Sequence, residues 1–205
     1  MATTIDFVSD MVCPWCFIGL RRLEAAIADV ASPEVRFHPF QLDPTTPPEG
    51  RDLREHLAAK FGDPTAMFGR VEEVAREAGI PLDFAKVKRM PNTLKAHVLA
   101  ARAAEKGTQH AVVSAIFTAH FLDGEDIGED ATLVRIATKH GFTESEAVAA
   151  LGNLKDRAAV EAETQGLSQQ GIRGVPFVIF GEKVAVSGAQ PVETFREAYD
   201  KASAS

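Results

Sequence analysis

The chain has two cysteines, Cys13 and Cys16, and only Pro14 and Trp15 lie between them. A short strand-like run ends just before the pair, and a helix-like pattern begins on it. A CxxC at a strand-to-helix junction, in a chain with no other cysteine, has the spacing of a redox dithiol. With Cys13 as the helix cap, Pro14 falls in the first turn, where its missing N–H costs nothing. Cys13 then faces unpaired N–H groups and the positive end of the helix dipole. Both favour a thiolate, the nucleophile of disulfide exchange. Cys16 lies one turn on, close enough to pair with Cys13. It also heads an apolar stripe with Leu20, Leu23, Ile27 and Val30. The expected pair is therefore asymmetric: an accessible Cys13 that attacks and a more buried Cys16 that resolves. Asp10 opposes thiolate formation if its carboxylate points inward.

Other chemistries fit less well. Zinc needs four ligands, and this chain has neither a second CxxC nor a close His-x-x-x-His. Its ligands would have to be distant ones such as His38 or His97, or come from a second chain. The six histidines show no metal-ligand spacing, so no metal site is expected. Trp15, between the cysteines, is placed for contact with a partner or for packing on a neighbouring loop. His97 either lines a substrate cleft or is a helix-face histidine bonded locally. His120, between apolar residues, reads as a satisfied core residue.

Three groups of elements would position the dithiol. Ile5–Val8 reads as a strand, a helix follows from Pro14 to a stop at Ser32-Pro33, and Val35–His38 reads as a second strand. A β-α-β unit of this kind implies parallel strands. After the proline-rich segment 43–48 the pattern is helical for roughly a hundred residues. Stops are expected at Gly79, Gly107, Gly141 and Gly171, and starts at Thr108, Asp130 and Thr143. Thr143 with Glu146 forms a capping box. Pro176–Phe180 and Val184–Val186 then flank Gly181-Glu182-Lys183 as a hairpin, and Pro191 opens a last helix over 192–202. The two β-containing ends share one sheet if the helical block is an insertion. The expected division is a β-containing domain from 1–45 and 172–205, with a helical insertion domain over 46–171.

Composition narrows the partners. A net charge of -7 argues against nucleic acid and anionic membranes, which need a basic surface. No apolar run approaches a membrane span. The first residues carry no basic segment or apolar stretch of a secretory signal. The expected compartment is the cytoplasm, where thiols are kept reduced and a lone pair of cysteines is catalytic more often than structural.

Four segments in this order carry a resemblance: Ser9-Asp10-Met11-Val12-Cys13-Pro14-Trp15-Cys16-Phe17-Ile18-Gly19, Asn92-Thr93-Leu94-Lys95-Ala96-His97, Gly171-Ile172-Arg173-Gly174-Val175-Pro176, and Val186-Ser187-Gly188-Ala189-Gln190. Over nearly its whole length the chain resembles the DsbA-like thioredoxin-fold proteins, in particular the FrnE branch of thiol-disulfide oxidoreductases. The resemblance implies an α/β thioredoxin-like fold with a large all-helical insertion. It implies that Val175-Pro176 is cis and lies against the dithiol, with the Val175 backbone pairing with an extended peptide or with glutathione. Disulfide-containing proteins and thiols are the implied partners. Glutathione is a candidate co-substrate, and no tightly bound cofactor is required. Homologous folds often dimerise, so a homodimer is one expectation for assembly.

The same fold serves glutathione-dependent 2-hydroxychromene-2-carboxylate isomerases and kappa-class glutathione transferases. Those typically carry serine at the position of Cys13 and an Asp-Arg-like pair at the position of Ala189-Gln190. An isomerase or transferase for an aromatic substrate is thus the enzymatic alternative. A binding protein with an idle CxxC, or with zinc across a dimer, is the other.

Overall fold

The computed structural model describes residues 3–204. Met1, Ala2 and Ser205, which the expected thioredoxin-like domain includes, lie outside the described residues.

The first unit is β1 (Thr4–Ser9), α1 (Pro14–Ala26) and β2 (Glu34–Pro39). The strands pair in parallel, with Phe7 opposite Phe37. Alternation makes β1 a core strand: Ile5, Phe7 and Val8 are fully buried. The closing unit is the hairpin β5 (Phe177–Phe180) and β6 (Val184–Ser187), followed by α9 (Val192–Ser203). Its three-residue loop puts Gly181 and Glu182 at positive φ, as a tight hairpin with a leading glycine requires. β5 runs antiparallel to β1, so the sheet order is β2-β1-β5-β6 and the two ends of the chain share one sheet.

Between them lie β3 (Arg51–Asp52), α2 (Leu53–Phe61), α3 (Thr65–Glu77), β4 (Arg89–Met90), α4 (Leu94–Glu105), α5 (Gln109–Phe121), α6 (Asp130–Lys139), α7 (Glu144–Gly152) and α8 (Leu154–Gln169). The four glycine stops all adopt positive φ, from 70° to 97°. Thr143 forms the reciprocal capping box with Glu146. The sequence pattern overlooks the two-residue ladder β3–β4, whose partners are distant in the chain.

One expectation is corrected. α1 ends at Ala26, with Ile27 as its cap, rather than at Ser32-Pro33. Val30 continues the apolar stripe from a turn, its N–H donating to the Ile27 carbonyl at 3.0 Å. Ser32 then takes a positive φ of 54°, which an α-helix cannot accommodate.

α1 is held from both sides. On one side it meets the sheet and α9. On the other, Phe17 stacks on Phe117 and Phe121 of α5, with ring centroids 5.4 and 6.0 Å apart. The helix that carries the dithiol is therefore fixed by the apolar core that joins the sheet to the helical block.

Candidate functional site

Cys13 is the N-cap of α1 and Pro14 its first helical residue. The Cys13 N–H donates to the Asp10 carbonyl at 3.0 Å, and its own carbonyl accepts from Cys16 N–H at 3.0 Å. This turn points both side chains the same way. Both thiols are free. Cys16 is 0% exposed, as expected, but Cys13 is only 3% exposed and not openly accessible. The reason is the segment before β5: the Cys13 thiol donates to the Val175 carbonyl at 3.7 Å.

Val175-Pro176 is cis. Pro176 is buried, and its carbonyl accepts from Gly188 N–H at 2.8 Å. Its ring reaches α1 through Gly19: a Cβ on Gly19 would stand 2.9 Å from Pro176 Cγ and 3.6 Å from Ala189 Cα. Arg22, further along the same helix, donates to the Ala189 carbonyl at 2.8 Å. Gly19 and Arg22 thus clamp the Pro176 and 188–190 loops onto α1. Neither was singled out in the sequence, though a glycine inside a helix one turn after a cysteine is a signal of close approach.

Behind the pair, Asp10 is 1% exposed and its carboxylate points inward. One oxygen accepts from Leu42 N–H at 2.8 Å, and the other faces His97 Nε2 at 3.4 Å. His97 also donates from Nε2 to the Phe40 carbonyl at 3.1 Å. His97 is therefore bonded to residues of other elements, not to its own helix, and it lies behind the dithiol. Burial pushes the Cys16 thiol well above the ordinary thiol range; the adjacent Cys13 sulfur and the Asp10 charge push the same way, and the Asp10 backbone N–H that faces Cys16 pulls against them. Cys16 is thus held as a thiol near neutral pH.

Trp15 is half-buried and packs against the main core, leaving part of the ring at the surface beside Cys13. His120 is buried and pushed down to about 4 by desolvation. Among the described residues no group of three or more His, Cys, Asp or Glu side chains is gathered that could hold a metal ion. A cavity of about 970 Å³ opens along β2 between α1 and α4; His97 lines it, and Cys13, Trp15, Val175 and Pro176 do not. No helix among the described residues is long and apolar enough to cross a membrane.

Three likenesses accompany this geometry. The uncharacterized protein YwbO of Bacillus subtilis is 28% identical over 207 residues, covering 97% of this chain and 96% of that protein. A probable DsbA oxidoreductase from Streptomyces coelicolor is 29% identical with a TM-score of 0.89, covering 98% of this chain and 90% of that one. A 2-hydroxychromene-2-carboxylate isomerase shares the fold at 16% identity with a TM-score of 0.78, covering 97% of this chain and 95% of its own. The family model described as the DSBA-like thioredoxin domain matches residues 4–200, and the chain belongs to that family.

Proposed function

We propose that this protein is a cytoplasmic thiol-disulfide oxidoreductase of the FrnE type, with Cys13 as nucleophile and Cys16 as resolver. The observation that carries the reading is the asymmetric pair: Cys13 caps α1 against the Val175 carbonyl, and Cys16 lies fully buried one turn behind. Cys13 as thiolate attacks one sulfur of a substrate disulfide, forms a mixed disulfide and releases the other sulfur as thiolate. Cys16 then loses its proton and attacks Cys13 Sγ. The Cys13–Cys16 bond forms, and the first substrate sulfur leaves. The substrate gains two electrons and the dithiol loses two; the reverse sequence oxidises a substrate, and the two together isomerise one.

Val175 and Pro176 bring their backbone beside the sulfur, and a peptide or glutathione lies against it as an added strand. Trp15 supplies an apolar surface next to it, and the helical block forms the far wall of the cleft. Glutathione is the thiol that returns the oxidised pair to the dithiol, and no tightly bound cofactor is needed, because both electrons reside in the sulfur pair.

The test is turnover of insulin or a model disulfide. Cys13→Ser is expected to abolish it, and wild-type turnover in that variant overturns the reading. Full activity of Cys16→Ser on an aromatic isomerase or transferase substrate would favour the glutathione-dependent alternative. Alkylation of Cys13 at neutral pH no faster than that of a free thiol would favour an idle pair.

A further inference from the structure

All six residues of β2 line the cavity of about 970 Å³ beside it. Alternate residues of a strand point to opposite faces, so a cavity lined by all six follows the edge of the strand. β2 is an outermost strand of the sheet, and its backbone bonds sort by position. Phe40 N–H donates to the Ser9 carbonyl of β1 at 3.0 Å, so even-numbered positions turn their backbone groups to β1. Odd-numbered positions turn theirs away, into the cavity. At Phe37 the N–H donates to Gln109 Oε1 at 3.1 Å, and Gln109 Nε2 donates to the Phe37 carbonyl at 3.0 Å. One side-chain amide thus fills both positions at which a residue of an added strand would bond. The Pro39 carbonyl accepts from Thr164 Oγ1 at 3.3 Å. Val35 turns the same way as Phe37, and no side chain among the described residues caps its N–H or carbonyl.

We propose that this edge is a docking groove for one extended, basic peptide segment, which displaces the Gln109 amide and pairs with Val35 and Phe37 as an added strand. The walls select a single chain. Val30 and Pro33 stand along one side and Ala101 and Ala104 of α4 along the other, so one extended segment enters where the flank of a second sheet would not. The charges select its chemistry. The lining supplies three carboxylates, those of Glu24, Glu34 and Glu163, against one guanidinium, that of Arg36. With His110 neutral the balance stays negative whether or not His38 carries its proton. Lysine or arginine side chains on the segment complement this rim while its backbone pairs with β2 at the floor. Pairing through backbone groups gives affinity without a strict sequence, so selectivity resides in charge. Cys13, Trp15, Val175 and Pro176 do not line the groove, so it stands apart from the peptide position proposed at the dithiol.

The experiment is fluorescence anisotropy of a labelled peptide of alternating lysine and valine, titrated with the protein. Saturable binding is expected for this peptide and none for its glutamate-valine counterpart. Gln109→Ala removes the amide that the segment must displace. The two hydrogen bonds no longer broken make binding tighter by about fivefold to a hundredfold. Val35→Pro removes the open N–H at a place where an edge strand tolerates proline, and is expected to abolish binding. The lysine-valine peptide with every peptide nitrogen methylated keeps its charges and loses its backbone donors, so it is expected not to bind. That arm holds whether or not the Val35→Pro protein folds. No saturable binding, equal binding of the methylated peptide, or Gln109→Ala binding no tighter than wild type each overturns strand addition. Equal binding of the glutamate-valine peptide overturns the charge match. Sedimentation equilibrium of the protein alone gives the remaining outcome: a dimer that Val35→Pro dissociates would mean that a second copy covers the edge, and would overturn the proposal.

Discussion

Gly19→Ala separates the packing of the site from the stability of the fold. Alanine in a helix interior is favoured over glycine by about 1 kcal/mol. Against that, the new Cβ would stand 2.9 Å from Pro176 Cγ, where an ordinary carbon contact is about 3.5–4.0 Å, so the ring must retreat by about 0.6–1.1 Å. Pro176 is tied by its carbonyl to Gly188, so the retreat carries that loop with it. Overpacking of this kind costs about 1–3 kcal/mol, leaving a net destabilisation of about 0–2 kcal/mol. The same movement shifts the Val175 carbonyl off the Cys13 thiol. Displacement of a positioning group by about 1 Å lowers turnover by about a hundredfold. Gly19→Ala is therefore expected to unfold within a few degrees of wild type and to lose most of its kcat/KM for a peptide disulfide. Wild-type turnover in a folded Gly19→Ala protein would refute the argument that this close approach sets the site.

Two further outcomes test the frame around the site. Phe17→Ala removes the ring that joins α1 to α5 and is expected to cost about 3–5 kcal/mol in urea unfolding, with a lower midpoint and little change in slope. His38 sits between Glu163 at 2.7 Å and Asp6 at 2.9 Å, and its hydrogen bond to Glu163, with that to Asp6, raises its pKa above 6.5. It thus binds its proton more tightly folded than unfolded. The stabilisation is complete below about pH 6.5 and is lost as pH rises through the higher folded value. Melting temperatures from acid to mildly alkaline pH should show that decline in wild type, and His38→Gln should flatten it; parallel curves would mean that His38 does not link β2 to α8.

Features set by neighbours in the chain were legible in the sequence. The dithiol at a helix start, the Thr143 capping box, the glycine stops and the hairpin after Pro176 each depend on a few adjacent residues. Cys16 as head of an apolar stripe was readable for the same reason. What depends on contacts between distant segments was not. The direction of the Asp10 carboxylate is set by Leu42 and His97, and the cover over Cys13 by Val175. The early end of α1 also escaped, because apolar spacing continues through Val30 after the helical backbone has stopped. Gly19 is the intermediate case: the residue is visible in the sequence, and the ring it accommodates is not.

The central claim is the division of labour between the two sulfurs. Its most direct test is the intact mass of Cys16→Ser after incubation with a disulfide-bonded peptide, followed by peptide mapping. The account expects one substrate thiol per chain, joined to Cys13 through a disulfide and released by a reducing agent. No adduct on Cys13, or an adduct that turns over as fast as in wild type, would contradict it.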